Sequence, residues 1–245
     1  MQKKFADDRL KFTGSIRYDK SQIFEGHISP RVSLTYSAGE KRTHNFRASY
    51  QTGFRNPTTQ DLYIGLDAGR AILVGSAPDN MDRYTTNSLN VSNSGKDLGF
   101  PATVKLSGRE AYENAFSYSS ILAKTYKKSD FKYVQPERVK AYELGYRGAF
   151  QGISIDLSGY YNQYTEFIGN KTVLVPYYGK ADLSDITPLP TQLGGPTPTA
   201  LIALNNGDYK PFQVYTNSKA EITSYGIGIG LSKKIFGDYE LGVNY

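Results

Sequence analysis

Cysteine is absent from the 245 residues, which removes disulfide frameworks, thiolate metal sites and cysteine nucleophiles and leaves the compartment open. Histidine is scarce: His27 and His44 are the two in the chain. Each lies beside a turn with no Asp or Glu at a metal-ligand spacing, so no metal site is expected. No G-x-S-x-G occurs and no Ser, His and Asp arrangement can be assembled in sequence order. Catalysis, and any cofactor for it, has no support. Also missing is a run of roughly 18 consecutive apolar residues, the minimum for a transmembrane helix. The start of the chain lacks the apolar core of a signal peptide after Lys3 and Lys4, so either an upstream part is missing or export is not involved.

What is present is amphipathic. Hydrophobic residues make up 39% of the chain, with 21 tyrosines and 24 glycines, yet the mean hydropathy is only -0.49. A net charge of +6 is spread among 23 acids, which argues against nucleic acid as a partner. The length suits one large β domain.

Walking along the chain exposes a period of two, the signature of strands. Leu10, Phe12, Gly14, Ile16 and Tyr18 alternate with Lys11, Thr13, Ser15, Arg17 and Asp19. Similar runs start at Ile28, Phe46, Tyr142, Ile153, Tyr225 and Tyr239. That makes about seven strands, an all-β chain. Their connections alternate in length. Residues 37–43, 150–152 and 235–238 are tight turns, whereas 55–135 and 169–210 read as long loops, and 20–27 falls on the long-loop side. An up-and-down meander with this alternation puts every short turn at one end, as in transmembrane barrels of the outer membrane. Low hydropathy fits such a barrel, because alternate residues face lipid and lumen.

A soluble sandwich alternates too, but the runs at Leu10, Phe46 and Ile153, the last read as far as Ile168, reach the roughly 9 residues that a tilted membrane strand needs. Tyr18, Tyr36, Tyr50, Tyr63, Tyr142, Tyr146, Tyr161, Tyr164, Tyr225 and Tyr239 are the candidates for aromatic girdles at the interfaces. Arg31, Arg47, Gln51, Glu143, Arg147 and Asp156 fall opposite the apolar residues, so in a membrane barrel they face the lumen, where they solvate it or dock a plug. Gly226, Gly228 and Gly230 imitate part of a dinucleotide fingerprint, but no helix follows and they share one strand face, so they read as lumen-facing glycines. In the first long loop, Ala111, Ala115, Tyr118 and Leu122 recur at helical spacing, predicting a short surface helix within 109–128. Tyr112, Tyr118, Lys124, Lys127 and Lys128 on it are the candidate contacts for an acidic or sugar-like ligand, the alternative being an ordinary solvated face. Residues 187–198, TPLPTQLGGPTP, read as a flexible cover.

Three blocks resemble a known family. ISPRVSLTYSAGEKRTHNFRASYQTGFRNPTTQDLY (28–63), QPERVKAYELGYRGAFQGISIDLSGYYNQYTEFI (135–168) and TSYGIGIGLSKKIFGDYELGVNY (223–245) are similar, in order, to barrel hairpins of TonB-dependent outer-membrane receptors. Glu166 stands where the family often has Asp. The resemblance implies a plugged barrel of 22 strands in the outer membrane of a Gram-negative bacterium. Such a barrel imports a scarce nutrient, a siderophore, cobalamin, peptide or glycan, with energy from a TonB-type coupling protein. Its implied partners are outer-membrane lipid, a plug, further barrel strands and the small nutrient ligand. No plug, coupling box or final aromatic strand end is recognisable here, so the chain reads as a fragment. The rival readings are a passive porin, which leaves the G-F-R-x-P-T and Y-E-L-G-Y blocks unexplained, and a soluble β-rich binding or adhesion module.

Overall fold

The computed structural model describes every residue except Gln22, Ile23, Glu25 and Asp238. The chain forms two compact units, one made of Met1–Arg55, Pro136–Phe167 and Lys219–Tyr245, the other of Asn56–Gln135 and Ile168–Ser218.

The first unit is a single antiparallel sheet of eight strands in chain order: β1 Gln2–Phe5, β2 Leu10–Asp19, β3 His27–Ala38, β4 His44–Arg55, β5 Glu137–Phe150, β6 Ile153–Thr165, β7 Ile222–Ile235 and β8 Tyr239–Asn244. This is one strand more than the expected seven. The addition is β1, whose QKKF carries no alternation but pairs Gln2 with Thr13 through Phe5 with Leu10. The run expected from Ile153 to Ile168 also differs, because Glu166 turns into the left-handed region at φ 58 and ends the wall strand. The next strand, Ile168–Pro176, belongs to the second unit. Strands β2 to β7 are 10 to 14 residues long, enough to cross a bilayer, which takes about 9 to 11 tilted residues. No helix among the described residues is long and apolar enough to cross a membrane.

The short turns gather at one end of this sheet. Arg9 on the first turn donates to the Gly39 carbonyl at 2.8 Å, and Arg42 on the next donates back to the Asp7 carbonyl at 2.6 Å. Connections β2 to β3, β4 to β5 and β6 to β7 leave from the opposite end. The expected turn at 235–238 and loop at 20–27 include Asp238 and Gln22, Ile23 and Glu25, which lie outside the described residues. The β3–β4 ladder runs only as far as Arg31 opposite Gln51, next to Pro30, whose nitrogen has no hydrogen to donate.

The segments expected to be long loops build the second unit. Its sheet has the order Gly65–Asp67, Ile72–Val74, Tyr209–Asn217, Ile168–Pro176, Phe116–Ser117. The pairing of Ile72–Val74 with Tyr209–Asn217 is parallel. Ile72, Val74, Met81, Leu106, Val173, Val175, Phe212 and Val214 form a core contributed by both segments. Short helices begin at capping boxes, Thr58 with Asp61 and Ser107 with Glu110, which satisfy N–H groups that a first turn leaves without partners. In place of one helix within 109–128 there are two, Gly108–Glu113 and Tyr118–Leu122, separated by the strand Phe116–Ser117. The stretch 187–198 closes a small hairpin, Ile186–Thr187 against Thr197–Pro198, with a 3-10 turn at Thr191–Leu193.

Candidate functional site

The wall is two-faced, and its register decides which residues share a face. On one face, rows of directly opposed residues read Ser15, Arg31, Gln51, Ala141; then Ser49, Glu143, Tyr160, Gly226; then Thr35, Arg47, Gly145, Ser158, Gly228; and last Asn45, Arg147, Asp156, Gly230, Asn244. All six polar positions singled out in the sequence lie here, together with the three glycines of β7. Arg147 and Asp156 oppose one another, and the guanidinium Nε donates to the carboxylate at 2.9 Å. Arg47 lies across Gly145, where a Cβ would overlap its side chain, and the Tyr160 ring covers Gly226 at 2.7 Å from where a Cβ would sit. Glycine at these positions lets long polar side chains lie flat along the wall. Arg47, Glu143, Ser158, Tyr160, Asn162, Tyr164 and Ser224 line a depression of about 500 Å³ on this face. Sequence reading misses Tyr160 and Tyr164 as members of it and assigns Tyr164 to an aromatic girdle. Their parity with Asp156 is the signal that could have found them.

The other face is apolar and uncovered. Ile16 is 78% exposed, Leu144 68% and Ile227 70%. Buried hydrophobic residues in this unit amount to Phe24 and Ala141 among the described residues; all others belong to the second unit. Tyr50, Tyr142, Tyr161 and Tyr225 form a continuous row across four strands, with the first three rings 5.0 and 6.2 Å apart in sequence. A second row holds Tyr36, Phe46 and Tyr146, and Leu34, Ala48, Leu144 and Ile227 lie between the two. A soluble monomer keeps its contiguous exposed apolar patches small, whereas a face apolar across strand after strand and bordered by aromatic rows suits hydrocarbon. Of the girdle candidates, Tyr63 departs from this pattern as well as Tyr164: it ends the helix Thr59–Tyr63 in the second unit.

In the second unit, Tyr112 is 4% exposed. Its hydroxyl donates to the Tyr215 carbonyl at 2.9 Å and accepts from the Tyr215 N–H at 3.1 Å, and burial raises its pKa. It is a core residue, turned away from any ligand in solvent. Tyr118, Lys124, Lys127 and Lys128 are exposed. Ser120 fixes the lysine loop, its hydroxyl accepting from the Lys127 N–H at 3.0 Å and lying within donating reach of the Ser117 carbonyl at 2.8 Å and the Lys127 carbonyl at 3.1 Å. Lys180, from the other inserted segment, joins this group: it and Lys128 help hold the Asp182 carboxyl below its usual range, behind the hydrogen bonds from Ser184. Sequence order separates these lysines, so Lys180 could not be found from spacing. Elsewhere in the unit the buried Asp208 accepts from the Ser92 N–H at 2.7 Å, the Ser92 hydroxyl at 2.8 Å and the Tyr178 hydroxyl at 2.8 Å. Burial, with Asp208 alongside, pushes the Tyr178 phenol up to about 12.

The family model described as "TonB dependent receptor-like, beta-barrel" matches residues 2–245. The chain belongs to this TonB-dependent receptor family. The family is one of outer-membrane receptors and transporters of Gram-negative bacteria, not of enzymes. No curated protein matches the chain. Among solved structures, the ferric enterobactin receptor PfeA of Pseudomonas aeruginosa, in complex with enterobactin, is similar at a TM-score of 0.50 and 14% identity, over 96% of this chain and 24% of that one. The siderophore receptor PirA of Pseudomonas aeruginosa gives 0.48 and 14%, over 96% and 30%. The hemophore receptor HasR of Serratia marcescens, with its hemophore HasA and heme, gives 0.38 and 12%, over 92% and 28%. The chain spans less than a third of each of these receptors. The PfeA likeness agrees with the fold of a TonB-dependent receptor barrel wall, open here with β1 and β8 as its edges.

Proposed function

We propose that this chain forms part of the barrel wall of a TonB-dependent transporter that takes up a scarce nutrient across the outer membrane. The observation that carries the reading is the uncovered apolar face, bounded by aromatic rows, on a sheet with almost no core of its own. A second unit in the same chain has a full core. In the complete receptor, lipid covers the apolar face and further strands pair with β1 and β8, because edge groups without partners are too costly in hydrocarbon. Arg31, Arg47, Gln51, Glu143, Arg147 and Asp156 face a lumen that holds the plug. The inserted unit meets the nutrient, a siderophore, cobalamin, peptide or glycan, with Tyr118, Lys124, Lys127 and Lys128 among its contacts, and a TonB-type protein supplies the energy.

Nutrient accumulation by cells carrying the receptor tests this. Accumulation is expected to stop when the proton gradient is collapsed or the coupling protein is deleted, while binding at the cell surface persists. Uptake that continues without energy marks a passive pore and contradicts the proposal.

A further inference from the structure

The apolar face of the wall changes character at the end from which the β4 to β5 and β6 to β7 connections leave. Beyond the row Tyr50, Tyr142, Tyr161 and Tyr225, the register sets Thr52, Lys140, Gln163 and Thr223 side by side on that face, and then Phe54, Arg138 and Thr165. Lys140 and Arg138 are exposed, and neither has an ion-pair partner among the described residues. Glu137, adjoining Arg138, has the opposite parity and is taken by Arg55 at 2.6 Å. Arg138 and Lys140 stand two residues apart on β5, so their Cα atoms are about 7 Å apart, and two such long side chains can close on one anion.

The sign of charge on this face is one-sided. Among the described strand residues of the sheet, its charged members are Lys3, Arg138, Lys140 and Lys233, with no Asp or Glu. The strand acids Asp19, Glu137, Glu143, Asp156 and Glu240 all take the polar parity. A cation on a lipid-facing strand is costly at the mid-plane and cheap near the interface, where its stem lies along apolar surface and its head reaches the headgroups. Arginine offers a planar fork that matches phosphate oxygens, and lysine a compact positive charge. On the hydrocarbon side of the tyrosine row the same face dips. Leu34, Ala48, Leu144, Leu157, Gly159 and Ile227 line a depression of about 730 Å³, with the small residues Ala48 and Gly159 on either side of Leu144. A Cβ at Gly159 would meet no atom nearer than 3.8 Å, so the space above it is open.

We propose, resting on the membrane-wall reading above, that Arg138 and Lys140 bind the phosphate of an anionic lipid in the leaflet at the long-loop end. Its acyl chain passes the tyrosine row and lies in the depression over Ala48 and Gly159. Cations, aromatic row and apolar hollow follow one another down β5 in the order of a lipid's own headgroup, interface and chain, which favours a lipid over a soluble anion as the occupant.

Native mass spectrometry of the receptor in detergent tests this, with phosphatidic acid and phosphatidylcholine of identical chains as the probes. At about 5-fold per cation, the first phosphatidic acid is expected to bind about 25-fold more tightly than the first phosphatidylcholine. Lys140→Gln should cut that preference about 5-fold. Arg138→Gln together with Lys140→Gln should remove it, and Lys11→Gln, on the polar face, should leave it intact. Gly159→Leu, which fills the depression, should weaken both lipids; unchanged affinities there overturn the placement of the chain. Equal binding of the two lipids to the unmodified protein overturns the site while the wall stands, as does a preference that Lys140→Gln leaves undiminished, and this single variant decides if the double one fails to fold. No bound lipid of either kind contradicts the wall and the site together. Displacement of phosphatidic acid by glycerol 3-phosphate, the headgroup without chains, overturns a lipid as the occupant.

Discussion

The Asn217 carboxamide pairs with the peptide of Gln135, 82 residues away, in both directions: the Gln135 N–H donates to Oδ1 at 2.7 Å and Nδ2 donates to the Gln135 carbonyl at 2.9 Å. A side-chain amide here does what a neighbouring strand does, tying together the last residues of the two inserted segments. Replacing Asn217 with Ala removes both bonds. At about 1 kcal/mol per neutral hydrogen bond, a loss of about 1 to 3 kcal/mol is expected in the second unit. Asn217→Asp keeps the acceptor and should lose less. Hydrogen exchange at the Gln135 amide reads the effect directly, and unchanged protection in Asn217→Ala contradicts it.

Tyr112 provides a second test inside the core. Tyr112→Phe preserves the ring but strips the Tyr215 N–H and carbonyl of their partner, a buried loss costing about 1 to 3 kcal/mol. Thermal unfolding of the second unit should move down accordingly. Were Tyr112 a ligand contact instead, the variant would lose nutrient binding with its melting temperature unchanged.

Acid should loosen the surface around Arg109. This guanidinium donates to Asp82 at 2.6 Å and to Glu113 at 2.8 Å and holds both carboxyls below their ordinary values. Carboxyls with depressed folded pKa values contribute stability above the ordinary carboxylate range, near 4, and that contribution is lost as pH falls through the depressed values. Arg109→Ala should flatten the dependence of the melting temperature on pH below about 4. The same slope in both proteins rules the network out as its source. The contribution is small, because these groups are exposed to solvent.

Charge placed on the two wall faces should have unequal effects. Leu144→Arg puts a cation on the apolar face between the aromatic rows and is expected to cost about 2 to 4 kcal/mol in a bilayer. Ser33→Arg, on the polar face, should cost far less. Urea unfolding in lipid vesicles compares them, and equal losses argue against a lipid-facing side.

Much of the wall is legible because its strands are long and each has one apolar face. Alternation through Leu10 to Tyr18, or Ile153 to Tyr161, is determined by the same requirement that orients the strand. The misreadings have equally local causes. β1 is four residues of QKKF, too short and too charged to show a period. Tyr164 looks like a girdle residue until its parity with Asp156 is counted through Tyr160. The second unit escapes detection because its strands are mostly two or three residues long and its core draws on both inserted segments. Val74 meets Val214 only through the parallel pairing of Ile72–Val74 with Tyr209–Asn217, which no window of sequence contains. Tyr112 reads as a surface residue for the same reason: its partner, Tyr215, is 103 residues away.

The most direct test of the account is a nitroxide scan along β5. The chain has no cysteine, so once any cysteine elsewhere in the receptor is replaced, single substitutions from Lys140→Cys to Arg147→Cys, reconstituted in bilayers, each carry one label. The account predicts a period of two: Tyr142, Leu144 and Tyr146 positions accessible to oxygen dissolved in lipid, and Glu143, Gly145 and Arg147 positions shielded from it on the lumen side. Labels on both faces that respond equally to a water-soluble relaxant, with no alternation, would contradict the membrane wall.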